Sequence, residues 1–98
     1  MTYSIETTEQ FDHWLRKLKD RPARAKILNR LATIEISGHF GDHKNINAEI
    51  KELRFFIGSG YRIYYTMRDG QMIILLAGGD KNSQQRDIAK AIQLEGLL

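Results

Sequence analysis

The sequence has no cysteine in its 98 residues, so disulfide bonds and zinc sites built on thiolates are not available to it. It also has no N-terminal apolar run that resembles a signal peptide. The apolar run at residues 72–77 is too short to cross a bilayer. These absences predict a soluble, cytoplasmic protein with no membrane partner, and the length predicts one domain over residues 1–98.

The net charge is also low, at +3, but the basic residues are unevenly distributed along the chain. Seven of the fifteen Lys and Arg residues lie within residues 16–30, where Asp20 is the one acidic residue. Such a patch neutralises phosphates and speeds the encounter with RNA or DNA, whereas a solvated helix face is the alternative. Arg16 and Arg24 are therefore candidate RNA-binding residues.

The N-terminal part of the chain predicts a strand followed by a hairpin of two helices. Alternation over residues 3–7 predicts the strand. The first helix has an apolar face with helical spacing, formed by Phe11, Trp14, Leu15 and Leu18. Asp20 and the single proline, Pro22, predict the start of the second helix, and Gly38 predicts its end. The buried stripe predicted for that helix consists of Ala23, Ile27, Leu28, Leu31 and Ile34.

The stretch over residues 49–81 predicts three consecutive antiparallel strands. Gly58-Ser59-Gly60 and Asp69-Gly70 separate them, because tight turns favour residues that tolerate positive φ. The predicted strands are residues 50–57, 61–67 and 71–77, and a last helix over residues 84–94 has Ile88, Ala91 and Ile92 facing inward. The predicted fold is α+β, in the order β-α-α-β-β-β-α, with the antiparallel hairpin sheet packed against the N-terminal helical hairpin.

Register arithmetic across the first turn assigns side chains to the two faces of this sheet, because they alternate along each strand. With Ile57 opposite Tyr61, Arg54 faces Tyr64. The polar residues that then share one face are Glu52, Arg54, Arg62 and Tyr64. The opposite face carries an apolar set that must be covered, namely Leu53, Phe55, Ile57, Tyr61, Ile63, Tyr65 and Met67.

The third strand and the residues after it extend the polar face. The second turn places Ala77 beside Arg62 and Leu75 beside Tyr64, and Lys81 follows near the same edge. Two arginines, a tyrosine, a carboxylate and a lysine suit a phosphodiester better than an apolar ligand. A half-solvated face with ordinary ion pairs is the alternative.

The polar segment over residues 38–49 has no clear period and predicts a loop. Lys44 in this loop and Lys51 after it complete the set of candidate RNA-binding residues. His39, Asp42 and His43 form no known metal-site pattern, so neither a metal nor another cofactor is predicted.

Four segments of the sequence resemble one known family. They read FDHWLRKL, GDHKNI, ELRFFIGSGYRIYY and LLAGGDKNSQQRDIAKA, and together they extend over nearly the whole chain. They are similar to the HigB-like addiction-module killer proteins, which are phage-derived toxins within the RelE/ParE superfamily. The resemblance implies the small RelE/ParE-like toxin of a type II toxin–antitoxin system. It also implies a bacterial cytoplasmic partner, a cognate antitoxin that is often a helix-turn-helix DNA-binding protein.

The same resemblance implies an endoribonuclease that needs no metal. RelE-like members cut messenger RNA in the ribosomal decoding site, and the RNA 2′-hydroxyl is the nucleophile. At the matching positions, Arg62 is the arginine placed against the scissile phosphate, Arg54 is a second arginine and Lys81 is the basic residue after the last strand. The chain departs from RelE at Glu52, where RelE has a lysine, and at Asp87, where RelE has a catalytic tyrosine.

The catalytic hypothesis assigns charge stabilisation to Arg62, Arg54 and Lys81. Glu52 is a candidate general base, and Tyr64 is a candidate proton donor or base-stacking residue. A plain ion pair for Glu52 and simple packing for Tyr64 are the alternatives. Two other functions also stay open, namely a ParE-like inhibitor of DNA gyrase and a catalytically inactive module that binds nucleic acid or an antitoxin.

Overall fold

The structure, a computed structural model, describes residues 2–98. In chain order the elements are β1 (Ser4–Thr7), α1 (Glu9–Lys17), α2 (Arg21–Ser37), β2 (His43–Asn45), β3 (Lys51–Phe55), β4 (Tyr61–Arg68), β5 (Met72–Asp80), a short 3₁₀ helix (Lys81–Ser83) and α3 (Gln84–Gly96). This arrangement confirms the predicted α+β fold and adds one strand, β2, to the predicted order.

The strands of residues 2–98 form one sheet in the order β1-β5-β4-β3-β2. β1 is parallel to β5, whereas the other neighbouring strands are antiparallel. β2 corrects the prediction of a loop over residues 38–49. All three of its residues are exposed, so no apolar alternation marks it in the sequence, and pairing with β3 decides its conformation.

Capping explains where the two N-terminal helices begin and end. The Thr8 hydroxyl accepts a hydrogen bond from the Phe11 N–H at the start of α1. The Asp20 carboxylate accepts one from the Ala23 N–H at the start of α2, as predicted. Gly38 ends α2 with a φ of 74°, a conformation that glycine adopts without a steric penalty.

Helices cover both faces of the sheet and produce two buried clusters. One face packs against α1 and α2, with a core of Phe11, Ile27, Ile34, Leu53, Phe55, Ile63, Tyr65, Ile73 and Leu75. The other face packs against α3, with a smaller core of Ile50, Tyr64, Leu76 and Ala91. The predicted apolar face is therefore the one that the helical hairpin covers.

Two residues predicted on buried helix faces are exposed instead. Leu28 of α2 is 45% exposed and Ile92 of α3 is 46% exposed. Each follows a fully buried residue, Ile27 or Ala91, and one step along a helix rotates the side chain by about 100°. The sheet therefore covers a narrower stripe of each helix than the apolar pattern indicates.

The connection between β3 and β4 is longer than predicted, and this shifts the register by two residues. Phe55 lies opposite Tyr61, so Arg54 faces Arg62 instead of the predicted Tyr64. The connecting residues 56–60 include two glycines at positive φ, which close a wider turn than the prediction assumed. A shift of two residues leaves every side chain on its face. The residues that share the polar face are therefore still Glu52, Arg54, Arg62 and Tyr64.

A bulge interrupts the pairing of β4 with β5. Leu76 is the inserted residue, so Ala77 lies opposite Tyr64. On the turn side of the bulge, Tyr65 pairs with Leu75, so the register there already differs from the prediction by one residue and places Leu75 on the other face. The predicted neighbours, Ala77 beside Arg62 and Leu75 beside Tyr64, are therefore wrong. The bulge has no counterpart in the alternation from which the register was inferred.

Candidate phosphate-binding site

Two arginines lie side by side on the face of the sheet that α3 partly covers. Arg54 of β3 and Arg62 of β4 are direct cross-strand partners. Like charges in such a position repel each other unless other groups compensate. Here each arginine has its own carboxylate, Asp42 for Arg54 and Glu52 for Arg62. The arrangement concentrates guanidinium groups at one point of the sheet, where their planar donors match phosphate oxygens.

Arg54 is held by Asp42, whose Oδ1 accepts hydrogen bonds from Nε at 3.3 Å and from Nη2 at 2.9 Å. This hydrogen bonding raises the pKa of Arg54. The segment that carries Asp42 is positioned by Arg30 of α2. The Arg30 guanidinium donates to the backbone carbonyls of Phe40, Asp42 and Arg54. The site therefore depends on a helix from the opposite layer.

Glu52 is fully buried, and both of its carboxylate oxygens have partners. Oε1 lies 3.4 Å from Arg62 Nη1, and Oε2 accepts a hydrogen bond from Gln84 Nε2 at 3.1 Å. Gln84 is the first residue of α3, so the carboxylate links the sheet to this helix. In this arrangement both oxygens of Glu52 are engaged by side chains of the protein.

Tyr64 lies directly opposite Glu52 and is fully buried. Within residues 2–98 its hydroxyl has no hydrogen-bond partner, and the same holds for the buried Nε of Arg62. Burial raises the pKa of Tyr64, and the nearby Glu52 carboxylate adds to the shift. Tyr64 is therefore a neutral hydroxyl at physiological pH. Native proteins leave few such atoms unpaired, which makes this cluster a candidate functional site.

Lys81 follows the end of β5, where Gly79 lies opposite Arg62. It is exposed, and its methylene groups pack beside Gly60, where an added Cβ would lie 3.6 Å from the Lys81 Cδ. The preceding residue, Asp80, accepts hydrogen bonds from the backbone N–H groups of Asn82 and Ser83. These contacts fix the turn from which Lys81 projects and leave its ammonium group in solvent.

Comparison with known families identifies the chain. Residues 13–94 match the model of a family described as phage derived protein Gp49-like (DUF891). The chain belongs to this family. An uncharacterized protein of Haemophilus influenzae (strain Rd) is 48% identical over 91 residues, which cover 93% of this chain and 91% of that protein.

Solved structures show that the Gp49-like chain has the fold of RelE. A mutant of the E. coli toxin RelE in the free state has a TM-score of 0.75 at 19% identity, covering 95% of this chain and 97% of that one. The intact E. coli RelBE toxin–antitoxin complex has a TM-score of 0.64 at 20% identity, covering 80% and 95%. An archaeal RelE–RelB complex from Pyrococcus horikoshii has a TM-score of 0.59 at 17% identity, covering 83% and 97%. The predicted RelE-like fold is therefore confirmed.

Of the two lysines predicted to bind RNA, the Gp49-like fold brings one to the arginines. Lys44 of β2 is exposed and lies directly opposite Glu52, so its side chain extends the same face at the sheet edge. Lys51 precedes Glu52 on β3, and strand alternation turns it to the face that α1 and α2 cover.

The two arginines of the basic stretch that were predicted to bind RNA lie in the helical layer, on the far side of the sheet from Arg62. Arg16 is exposed in the last turn of α1. Arg24 is half-buried, and its Nη1 donates a hydrogen bond to the Leu15 carbonyl, which ties α2 to the end of α1. The contact gives Arg24 a structural role.

Two residues of the site have no signal in the sequence. Asp42, the partner of Arg54, lies 12 residues before it, and Gln84 lies 32 residues after Glu52. Neither spacing corresponds to a local pattern, since both contacts form only when separate elements meet. Their polar residue types are compatible with many other surroundings.

Two structural features are absent from residues 2–98. In that part of the chain, no group of three or more His, Cys, Asp or Glu side chains is arranged to hold a metal ion. None of the helices described there is long and apolar enough to cross a membrane.

Proposed function

We propose that this protein is the toxin of a type II toxin–antitoxin system, in the HigB-like branch of the RelE/ParE superfamily. It acts as a ribosome-dependent endonuclease that cuts messenger RNA without a metal and thereby inhibits translation. The observation that carries the proposal is the direct pairing of Arg54 and Arg62 on one face of a RelE-like sheet.

The reaction that this face supports is attack of an RNA 2′-hydroxyl on the adjacent phosphate. Negative charge builds up on the phosphate oxygens, and preorganised guanidinium groups stabilise it. Arg54 Nη1 and Arg62 Nη2 make no hydrogen bond to any of residues 2–98, so both groups retain donors for a phosphate. Lys81 supplies a third positive charge, which is exposed to solvent.

The buried groups around Arg62 take supporting roles in this proposal. Glu52 holds Arg62 in place rather than acting as the general base, because both of its oxygens are occupied. The Tyr64 hydroxyl has its proton and no partner within residues 2–98, so it is the candidate donor to the leaving 5′-oxygen.

The proposed partners are messenger RNA on the ribosome and a cognate antitoxin in the bacterial cytoplasm. The RelE structures of similar fold include complexes with RelB from a bacterium and from an archaeon, which supports an antitoxin partner. We expect the antitoxin to be a helix-turn-helix DNA-binding protein that presents acidic or apolar segments to the basic toxin.

Mapping of messenger RNA 5′ ends after induction in bacterial cells tests the proposal. We expect the wild-type chain to produce cuts that disappear when translation is blocked, and we expect Arg62→Ala to abolish them. Arg62→Gln is a second variant, because it removes the charge next to the buried Glu52 carboxylate while keeping a polar side chain. Circular dichroism and thermal unfolding of the purified variants verify that they fold.

Arg68→Gln is the matched control, since Arg68 lies on the same strand in a more exposed ion pair with Glu95. It should leave cutting and growth arrest unchanged. Full toxicity in both Arg62 variants would contradict the proposed site. Growth arrest with intact messages and broken chromosomal DNA would instead place the protein among the gyrase inhibitors.

A further inference from the structure

A long groove crosses the end of the sheet between α1 and the start of α3. It has a volume of about 1270 Å³, which is more than one small-molecule pocket usually provides. One wall is formed by α1, and the other by the 3₁₀ helix with the first turn of α3. The floor is the last part of β5, which runs beyond its pairing with β1 at Leu75.

Two glycines in β5 shape the floor of this groove. A Cβ on Gly78 would lie 2.4 Å from a ring carbon of Trp14, so the indole rests directly on the backbone there. A Cβ on Gly79 would lie 1.8 Å from Asp87 Oδ2, which brings α3 equally close on the other side. The Gly78-Gly79 pair is not part of a phosphate-binding loop motif. Because neither residue has a side chain, it allows both walls of the groove to approach the sheet.

The charges that the groove exposes to solvent are positive. Lys17 of α1, Lys81 and Arg86 of α3 line it and are exposed. Its acidic lining residues are Asp80 and Asp87, and both are engaged within the protein. Asp80 accepts hydrogen bonds from the N–H groups of the 3₁₀ helix. The largely buried Asp87 accepts one from the Ser83 hydroxyl, and its Oδ1 lies 3.8 Å from Nε of Arg86, whose side chain stays 82% exposed.

The groove also carries aromatic rings, and one of its lining residues is linked through Glu52 to the proposed catalytic arginine. Trp14 and Tyr61 line it, with their ring centroids 6.3 Å apart. Gln84 lines the groove and donates to Glu52, which in turn contacts Arg62. Exposed cations with aromatic rings along an open channel are typical of surfaces that bind single-stranded nucleic acid.

We propose that this groove binds the single-stranded RNA that flanks the scissile phosphate, with Lys17 and Arg86 contacting its backbone and Trp14 contacting a base. The inference rests on the proposed endonuclease function and names the path of its substrate. A polyanion fits the groove better than an apolar helix does, because cations and amides outnumber apolar side chains along the exposed walls.

The test measures binding without cleavage, using a short RNA of mixed sequence whose riboses are all 2′-O-methylated and so lack the nucleophile. Trp14 is the single tryptophan, so its fluorescence reports occupancy of the groove directly. We expect saturable quenching by the probe, measured over a series of salt concentrations. For single strands, log K falls with log salt with a slope of about −0.7 for each phosphate that is neutralised.

Lys17→Gln and Arg86→Gln should each make that slope shallower by about 0.7, and the double variant by about 1.4. Lys26→Gln is the matched control, because Lys26 is an exposed lysine of α2 that lies outside the groove. It should leave both the quenching and the slope unchanged. Equal changes in all three variants would overturn the proposal, because they would indicate unspecific attraction to a basic protein.

Two further results separate the groove from the catalytic proposal. Translation-dependent cutting with no effect of the probe on Trp14 would overturn the groove and leave the endonuclease standing. Quenching with the expected slopes but no cutting of messages would support a polynucleotide groove while the endonuclease function failed. Unchanged slopes together with loss of binding to a co-expressed antitoxin would overturn the proposal and make the groove a protein interface.

Discussion

The two faces of the sheet are both covered by helices, but they bury different chemistry. The face under α1 and α2 is an apolar core whose residues follow the alternation of the strands. The face under α3 buries a carboxylate, most of an arginine side chain and a tyrosine hydroxyl that has no partner within residues 2–98, beside a smaller apolar cluster. The first arrangement stabilises the fold by removing apolar surface from water, whereas the second carries desolvation costs that stability alone does not explain.

This contrast between the faces indicates that the functional site lies on the face under α3. Buried polar groups without partners are uncommon in native proteins, and clusters of them are candidate functional sites. In the described part of the chain, Arg62 Nε and the Tyr64 hydroxyl are two such atoms, and both lie beside Glu52. The comparison therefore predicts that mutations on the two faces separate stability from activity.

The largest expected effect on stability is on the apolar face. Leu53→Ala removes a 1%-exposed side chain from the main core and should lower the free energy of unfolding by about 3 kcal/mol, measured by urea denaturation. Leu28→Ala is the matched control at a 45%-exposed helical position and should cost less than about 1 kcal/mol. Equal losses would mean that the helical hairpin does not exclude water from this face.

A smaller loss is expected on the polar face. Glu52→Gln preserves the shape of the side chain but leaves Arg62 without its buried counterion, which should lower the free energy of unfolding by about 2 kcal/mol. Because Arg62 loses its support, cutting of messages should fall while remaining measurable.

Glu95→Gln provides the comparison for Glu52→Gln, because it removes the acidic partner from the more exposed pair with Arg68. It should change the free energy of unfolding by less than about 1 kcal/mol. Complete loss of cutting in a folded Glu52→Gln protein would show instead that Glu52 takes part in the chemistry itself.

The smallest effect has the opposite sign. Tyr64→Phe removes a buried hydroxyl that has no partner within residues 2–98, so the free energy of unfolding should rise by about 1 kcal/mol. Tyr65→Phe makes the same deletion on the other face, where the hydroxyl is not among the buried unpaired atoms, and should bring no such gain. A stabilised Tyr64→Phe protein that cuts more slowly would link the unpaired hydroxyl to activity. Loss of stability would show that the hydroxyl has a partner after all.

The basic stretch over residues 16–30 shows which uses of charged residues can be inferred from their distribution in the sequence and which cannot. The pattern predicts a surface for nucleic acid, and Lys17 does line the groove at the end of the sheet. Arg24 and Arg30 of the same stretch are used within the fold, because their guanidinium groups satisfy backbone carbonyls. Arg30 also lies over the ring of Phe55 at 4.2 Å. A count of charges does not distinguish these uses, since they depend on which elements lie next to each helix.

Local sequence patterns determine the helices, their ends and the faces of the strands. Helical spacing, the cap at Asp20 and the stop at Gly38 place α2, and strand alternation puts Arg54, Arg62, Glu52 and Tyr64 on one face even though the predicted register was wrong. Face assignment survived the error because the period of a strand is two and the register error was two residues.

Tertiary structure decided the rest. The exposed strand β2, the bulge at Leu76 and the burial of Glu52 under Gln84 all depend on contacts between elements far apart in the chain. The spacing of apolar residues predicts which side chains are buried, but it does not predict which helix covers them. The difference between an accessible carboxylate and a buried one that orients Arg62 therefore appears only when α3 packs on the sheet.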